Sequence, residues 1–333
     1  MAGIACAGNW VLDRSKFIKH YPRITGHTTV YKTVSSAGGA ALNILMALAK
    51  LKIDIPTYGI GLIGKGYRAK ELQLLCLNEH INMDYVRVVD GHSSYTDAMT
   101  LPDGSRTQFH CPGVNNDFKP EHVPIEKLKK RAVKLFYLGH LMILDGMDAK
   151  DEEFGTASAR LLHDVQDAGI ETVIDIVSNP SLPYEKLVHP ALPYTDHLIC
   201  NDYEAGQLTN IQTQDRHDVY ILDAIKEAAK KIMALGVKKH VIIHMPEGAY
   251  CLTADGQEYF QDACKIPKEK IVASCGAGDA FAACVLYGIH EGWDMQQSLL
   301  LAVCAAGASL THETNADGIK PLKETLALAD VWR

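Results

Sequence analysis

The sequence has no Cys-x-x-Cys pair, no dense basic run and no apolar stretch of membrane-spanning length, and no Gly-x-Gly-x-x-Gly follows its first apolar run. Each absence removes a class of function. Nine cysteines at 6, 76, 111, 200, 251, 264, 275, 284 and 304, an odd number without paired spacing, give no basis for structural zinc or a disulfide framework. Most lie within apolar segments such as Leu198-Ile-Cys200, where a reduced thiol serves as a small core residue. With 33 Lys+Arg against 40 Asp+Glu and a net charge of -7, there is no electrostatic footprint for a nucleic-acid backbone. The start Met1-Ala-Gly-Ile-Ala-Cys-Ala-Gly8 lacks a basic n-region, and no apolar run reaches the ~18 residues of a membrane span. A cytoplasmic protein without nucleic-acid or membrane partners is expected.

What is present is a globular chain of 333 residues, 47% hydrophobic and 22% charged, enough for one large core with an accessory lobe. Short apolar runs at 4–7, 57–60, 134–138, 172–176, 197–200 and 241–244 alternate with helical patterns at 40–51, 68–79, 157–168, 219–235, 279–290 and 296–309. That alternation predicts βαβ units and a mainly parallel sheet covered on both faces. Gly169, Gly236 and Gly292 follow helical patterns and suit the residue that closes a helix. Two stretches, 14–36 and 92–116, break the rhythm; in the second, extended segments flank the turn signal Pro102-Asp-Gly-Ser105. These predict a small β lid standing off a body made of 1–13, 37–91 and 117–333. A small sheet exposes a face and edges, which suits a cover over a cleft or a homodimer contact.

The strongest chemical signal is Ser274-Cys-Gly-Ala-Gly-Asp279 at the start of an apolar helix. Gly276, Ala277 and Gly278 let the backbone approach a ligand, and the helix start turns unpaired N–H groups and the positive dipole end toward it. Read alone, Asp279 is more often a helix cap than a catalytic group. Pairing a carboxylate with an anion cradle is, however, nearly all that phosphoryl transfer needs besides a metal, because its catalysis is positioning, charge stabilisation and a base for the hydroxyl proton. A second glycine site, Gly38-Gly39, opens a helix in which Asn43 lies about one turn in. A third, Asn201-Asp-Tyr-Glu204, follows an apolar run and places hard oxygen and amide groups at the sheet's C-terminal edge, where open α/β sheets bind ligands and Mg²⁺ is held partly through water. Either of these two, viewed alone, also reads as an ordinary turn or cap.

Asp13, Gly38-Gly39 with Asn43, Asn201-x-x-Glu204 and Gly276-Ala-Gly-Asp279, taken in order, resemble the signature set of the ribokinase or PfkB family of carbohydrate kinases. The resemblance implies a three-layer αβα sandwich with a small β-sheet lid, ATP as phosphoryl donor and Mg²⁺ as cofactor. By the same resemblance Asp279 is the base and the amides of Gly276, Ala277 and Gly278 form the anion hole. Asp13, at the end of the first strand, Gly38, Gly39 and Asn43 are implied substrate contacts, as are Asn115 of Gly113-Val-Asn115 and His140. Asn201 and Glu204 are implied to order Mg²⁺ and its water around the nucleotide, with His244 and Gly248 on the nucleotide side. Three departures stand out. Ala273 replaces an acidic residue tied to monovalent-cation activation, Pro246 removes an N–H from the nucleotide loop, and Val11 stands where relatives commonly carry a substrate-side Asn.

These signals favour a kinase for a sugar or sugar-like molecule. A nucleoside kinase of the same fold is the alternative, with Tyr21, Tyr31 and Tyr95 available to stack a base. A non-catalytic sugar-binding protein is the third reading, and it has no use for a proton acceptor at a phosphate cradle.

Overall fold

The computed structural model describes residues 2–217, 219–272 and 276–332. Its frame is one nine-stranded sheet. The strands are β1 (Gly3–Gly8), β4 (Thr57–Lys65), β5 (Tyr85–His92), β8 (Val133–Leu141), β9 (Glu171–Ile176), β10 (His197–Asn201), β11 (His240–Met245), β12 (Gly248–Thr253) and β13 (Glu258–Asp262). Their order is β13-β12-β11-β10-β9-β8-β1-β4-β5, parallel from β11 to β5, with β12 and β13 added antiparallel. All six predicted runs are strands of this sheet.

Residues of β1 show why the sheet needs cover on both sides. All six are buried, and alternate side chains enter different cores, Ile4 and Cys6 one, Ala5 and Ala7 the other. On the first face lie α1 (Ala40–Lys50), α2 (Tyr67–Asn78), α6 (Ala277–Glu291) and α7 (Met295–Ser309). On the second lie α3 (Ala157–Asp167), α4 (Asp202–Thr209) and α5 (Leu222–Ala234). Burying a Leu or Ile such as Leu42, Ile44, Leu162 or Ile232 contributes about 1.5–3 kcal/mol each, so both layers are held mainly by apolar packing. Local caps fix where helices start: Thr156 accepts from the Ala159 N–H (3.2 Å) and Asp294 from the Gln297 N–H (2.8 Å). Gly169, Gly236 and Gly292 all have positive φ where the sequence placed helix ends. The helix predicted over 219–235 begins later, at Leu222, because Tyr220 bridges to Gln214 and the Ile221 N–H bonds the Thr213 carbonyl (2.8 Å).

The lid is a four-stranded sheet, ordered β3-β2-β6-β7, from β2 (Val11–Ile18), β3 (Val30–Gly38), β6 (Ser94–Thr100) and β7 (Arg106–Cys111). It reaches further into the chain than the expected 14–36, so that Asp13 lies on β2, paired with Ser36, rather than at the end of the first strand. The chain leaves β1 at Gly8 and re-enters extended structure at Val11, placing Asp13 on the lid's root.

From β1 the connections run outward to β4 and β5 on one side, while β8, β9, β10 and β11 run outward on the other. Such a switch point leaves a crevice at the carboxyl ends of the strands. Gly8, His140, Asp175, Asn201 and His244 all lie at or just before that edge.

Candidate active site

Asp279 stands in the first turn of α6, whose preceding residue Gly276 has φ +85°. A side chain there would strain the backbone and place a Cβ 2.6 Å from that of Asn315, so the tight entry requires glycine. The Asp279 side chain is only 11% exposed. Asn43, near the start of α1, donates from Nδ2 to its Oδ2 at 2.7 Å, and His140 Nε2 lies 3.7 Å from Oδ1. Oδ1 is buried without a hydrogen-bond partner among the described residues. Burial pushes this carboxyl above its ordinary range, against the opposing pull of the His140 charge and the Asn43 hydrogen bond.

One side of the α6 mouth is a polar hub centred on Asn315. Its Nδ2 faces Asp13 Oδ2 (3.3 Å), the Ala37 carbonyl (3.2 Å) and Asn43 Oδ1 (3.3 Å), tying the lid root to the residue that holds Asp279. Gly38 makes room for this, since a Cβ would come within 2.2 Å of the Asp13 carboxylate. Gly39 caps α1, and Asn9 Oδ1 accepts from the Ala40 N–H at 3.1 Å. Loss of water pushes the Asp13 carboxyl up to about 7, with hydrogen bonds from Thr96 and Asn315 working against the rise.

Behind Asp279 stands Asp175, 6% exposed at the end of β9, accepting from the Ile176 N–H (2.7 Å) and the Tyr137 hydroxyl (3.2 Å). Burial and then the Asp279 charge drive it up to about 8. One ligating atom from each of His140, Asp175 and Asp279 falls within 4.8 Å of the others. Asn201 and Glu204 form a reciprocal capping box at the start of α4, each side chain accepting from the other's N–H at 2.8 Å. Ser178 joins them, donating to Glu204 Oε1 (2.6 Å) and accepting from Asn201 Nδ2 (2.9 Å). Burial, then the Asp175 charge, raises Glu204 to about 7.

The other side of the mouth opens into a cleft of about 590 Å³ lined by Asn201, His244, Gly248, Ala277, Gly278 and Phe281 among others. Its wall is largely apolar toward α7, as a flat aromatic ligand requires. The His244 imidazole, 5.2 Å from the Phe281 ring, is pushed down to about 4 by burial and is therefore neutral at pH 7. Pro246 also lines this cleft.

Most residues singled out from the sequence thus converge around one helix mouth. Asn115 does not join them: it is 1% exposed, and its amide is committed to the Trp10 backbone, with Nδ2 donating to the carbonyl (3.1 Å) and Oδ1 accepting from the N–H (3.4 Å). Tyr21 and Tyr31 are exposed on the lid, and the Tyr95 ring is covered by the Arg68 guanidinium at 3.9 Å. Ala273, on which the monovalent-cation expectation rests, and Ser274-Cys275 of the glycine motif lie outside the described residues. Sequence reasoning missed Asn9, Asp175, Ser178 and Asn315. A lone Asp in the apolar run Thr172-Val-Ile-Asp-Ile176 was a readable signal for Asp175; Asn315 has none.

A family model described as pfkB family carbohydrate kinase matches residues 2–320. The chain is 26% identical over 286 residues to a ribokinase of Arabidopsis thaliana, covering 84% of this chain and 69% of that protein. A 5-dehydro-2-deoxygluconokinase of Clostridium perfringens is 40% identical over 93 residues, which span 28% of this chain and 27% of the relative. Among solved structures, Arabidopsis thaliana ribokinase complexed with ribose and ATP matches with a TM-score of 0.80 at 22% identity, over 99% of each chain. A Burkholderia thailandensis nucleoside kinase in complex with inosine matches with a TM-score of 0.75 at 20% identity, over 99% of this chain and 98% of that one. At these identities the structural likeness shows a shared fold.

Proposed function

This chain belongs to the pfkB family of carbohydrate kinases, a family of phosphotransferases, and from that premise we propose that it moves the γ-phosphoryl group of ATP to a hydroxyl of a sugar or sugar-like acid. The observation that carries this reading is the Asp279 carboxylate, with one oxygen held by Asn43 and the other buried, without a hydrogen-bond partner among the described residues and facing His140 at a helix mouth beside the cleft. A carboxylate so placed accepts the proton of an attacking alcohol. As the alcohol oxygen bonds to phosphorus, the bond to the leaving ADP breaks and the proton passes to Asp279 Oδ1. The carboxyl's upward shift improves its match to that task, and the first-turn amides of α6, from Gly276 to Gly278, meet the growing phosphate charge.

In this reading Asp13, Gly38, Gly39, Asn43 and His140 surround the acceptor, with Asn315 positioning the first and fourth. Asn115 acts instead by fixing the Trp10 backbone beneath them. The cleft holds the nucleotide against Asn201, His244 and Gly248. Glu204 and Asp175 are buried carboxylates raised partly by neighbouring negative charge, a hard-oxygen environment that a divalent cation relieves, so the donor set fits Mg²⁺. Glu204, with Asn201 beside it, would hold that ion through its water shell, and the ion supplies charge neutralisation on the phosphates.

The unpartnered oxygen argues against a purely binding role, and the Arg68-covered face of Tyr95 argues against base stacking by a nucleoside. Exposed Val30 and Tyr31 on β3 and Phe109 on β7 support pairing of two lids into a homodimer, and a monomeric mass by light scattering at all micromolar concentrations would exclude it. The central test is Asp279→Asn. ATP binding by titration calorimetry is retained while acceptor-dependent ADP release is lost; undiminished turnover would overturn the assignment. Sugars, sugar acids, sugar phosphates and nucleosides form the acceptor screen, headed by an oxidised deoxy-sugar acid of the kind for which the clostridial relatives are named.

A further inference from the structure

Two thiols meet at the wall of the cleft. Cys264, in the loop after β13, lines it, and Cys304 is fully buried in α7 directly behind. Their Sγ atoms are 3.6 Å apart, the one thiol–thiol contact among the described residues. The contact is held in place from both flanks: the Ala263 N–H bonds the Glu247 carbonyl and the Lys265 N–H the Trp332 carbonyl, both at 2.8 Å. Gly307, one turn along α7 from Cys304, permits the approach, since a Cβ there would stand 3.4 Å from that of Cys264 and 3.1 Å from Ile266 Cδ1. A disulfide needs its sulfurs near 2.05 Å, so the pair must close by about 1.5 Å, within the reach of one side-chain rotation and a small loop shift.

We propose that Cys264 and Cys304 form a reversible disulfide that reshapes the cleft wall and weakens nucleotide binding. The effect on binding rests on the reading of this cleft as the nucleotide site. The oxidant is a hydroperoxide. The Cys264 thiolate attacks a peroxide oxygen, the O–O bond breaks, hydroxide leaves and a sulfenic acid forms. The Cys304 sulfur then attacks the sulfenyl sulfur, the S–S bond forms and water leaves. Two thiols give up two electrons and two protons, and hydrogen peroxide becomes two molecules of water. The roles follow from position: Cys264 faces the cleft, where peroxide arrives, and Cys304 is fully buried against it. The Cys264 thiol is held below its ordinary value by its hydrogen bond with Cys304, which favours it as the attacking partner, while the same contact raises Cys304. Because Ile266 also lines the cleft, drawing Cys264 toward α7 moves the wall on which the nucleotide rests.

The experiment uses the full chain, reduced, treated with hydrogen peroxide and re-reduced with dithiothreitol, with a fluorescent ATP analogue titrated at each stage. Non-reducing peptide mapping should give a 264–304 crosslinked pair with loss of about 2 Da, and analogue affinity should fall on the order of tenfold and recover on reduction. Cys304→Ala, which alters no cleft residue, should bind the analogue like the reduced wild type and lose the peroxide response. Absence of the crosslinked peptide overturns the pairing, and a crosslink with unchanged affinity overturns the switch. A reduced protein that binds no analogue would overturn the cleft assignment and the effect on binding together, and the peptide map would still decide the pairing.

Discussion

At the amino ends of β9, β10 and β11, Glu171, His197 and His240 form a hydrogen-bonded chain, whereas the carboxyl edge of the same three strands carries Asp175, Asn201 and His244. Glu171 receives His197 Nε2 at 3.0 Å and the Lys239 ammonium at 2.8 Å, and His197 Nδ1 meets His240 Nδ1 at 2.8 Å. These bonds hold the Glu171 carboxyl down to about 2, with the His197 hydrogen bond the leading cause, while burial keeps His240 down at about 4. At the opposite edge the carboxyls of Asp175, Glu204 and Asp279 are all raised, Asp175 partly by the Asp279 charge and Glu204 partly by the Asp175 charge, and one Asp279 oxygen has no hydrogen-bond partner among the described residues. A cluster that serves the fold satisfies its own members. A cluster that serves chemistry leaves charge and lone pairs for something that arrives.

The largest test of that contrast sets Asp279→Asn against Glu171→Gln. The first should lower kcat by about 10³-fold with no loss of melting temperature, and the second should leave kcat within about twofold, both read in an ADP-release assay. Equal losses in the two variants would erase the distinction. Next comes Gly38→Ala, whose new methyl collides with the Asp13 carboxylate; acceptor kcat/KM should fall roughly 10²-fold while the KM for ATP stays unchanged. Smaller is the stability cost of Glu171→Gln, about 1–2 kcal/mol by thermal unfolding, because its imidazole and ammonium partners lose a charged acceptor that is itself partly solvated.

The finest test is pH. Glu171, depressed from 4.5 to about 2, contributes stability that is present above pH 4.5 and lost as pH falls through 2. Asp13, raised from 3.8 to about 7, works in the opposite sense: its contribution is full below pH 3.8 and is lost as pH rises through 7. Melting temperature against pH should therefore flatten on the acid side in Glu171→Gln and between pH 4 and 7 in Asp13→Asn. An exchange of those two signatures would reverse the assignment of the edges.

The legible parts of the site are those whose chemistry is local. Gly276-Ala-Gly-Asp279 and Asn201-x-x-Glu204 each set a helix start within four residues, so motif and geometry coincide. Asn115 is the reverse case, because its short motif carries no sign that Trp10, 105 residues away, takes both ends of its amide. The helix start at Leu222 shifted because a bridge between Gln214 and Tyr220 outweighs helical periodicity. Asp175 was visible as a charge in an apolar strand, yet only the neighbouring strands show which way it faces.

Apolar periodicity by itself determined the alternating strands and helices, the two-faced core and the glycine-led helix mouths, since each depends on neighbours within a turn or a strand. Only the tertiary structure decided that Asn315 would link Asp13, 302 residues earlier, to Asn43 and thereby to Asp279, and that Cys264 would touch Cys304. A directional contact of about 3 Å depends on how strands are ordered and helices packed across the whole chain, and no short-range pattern of residues encodes that distance.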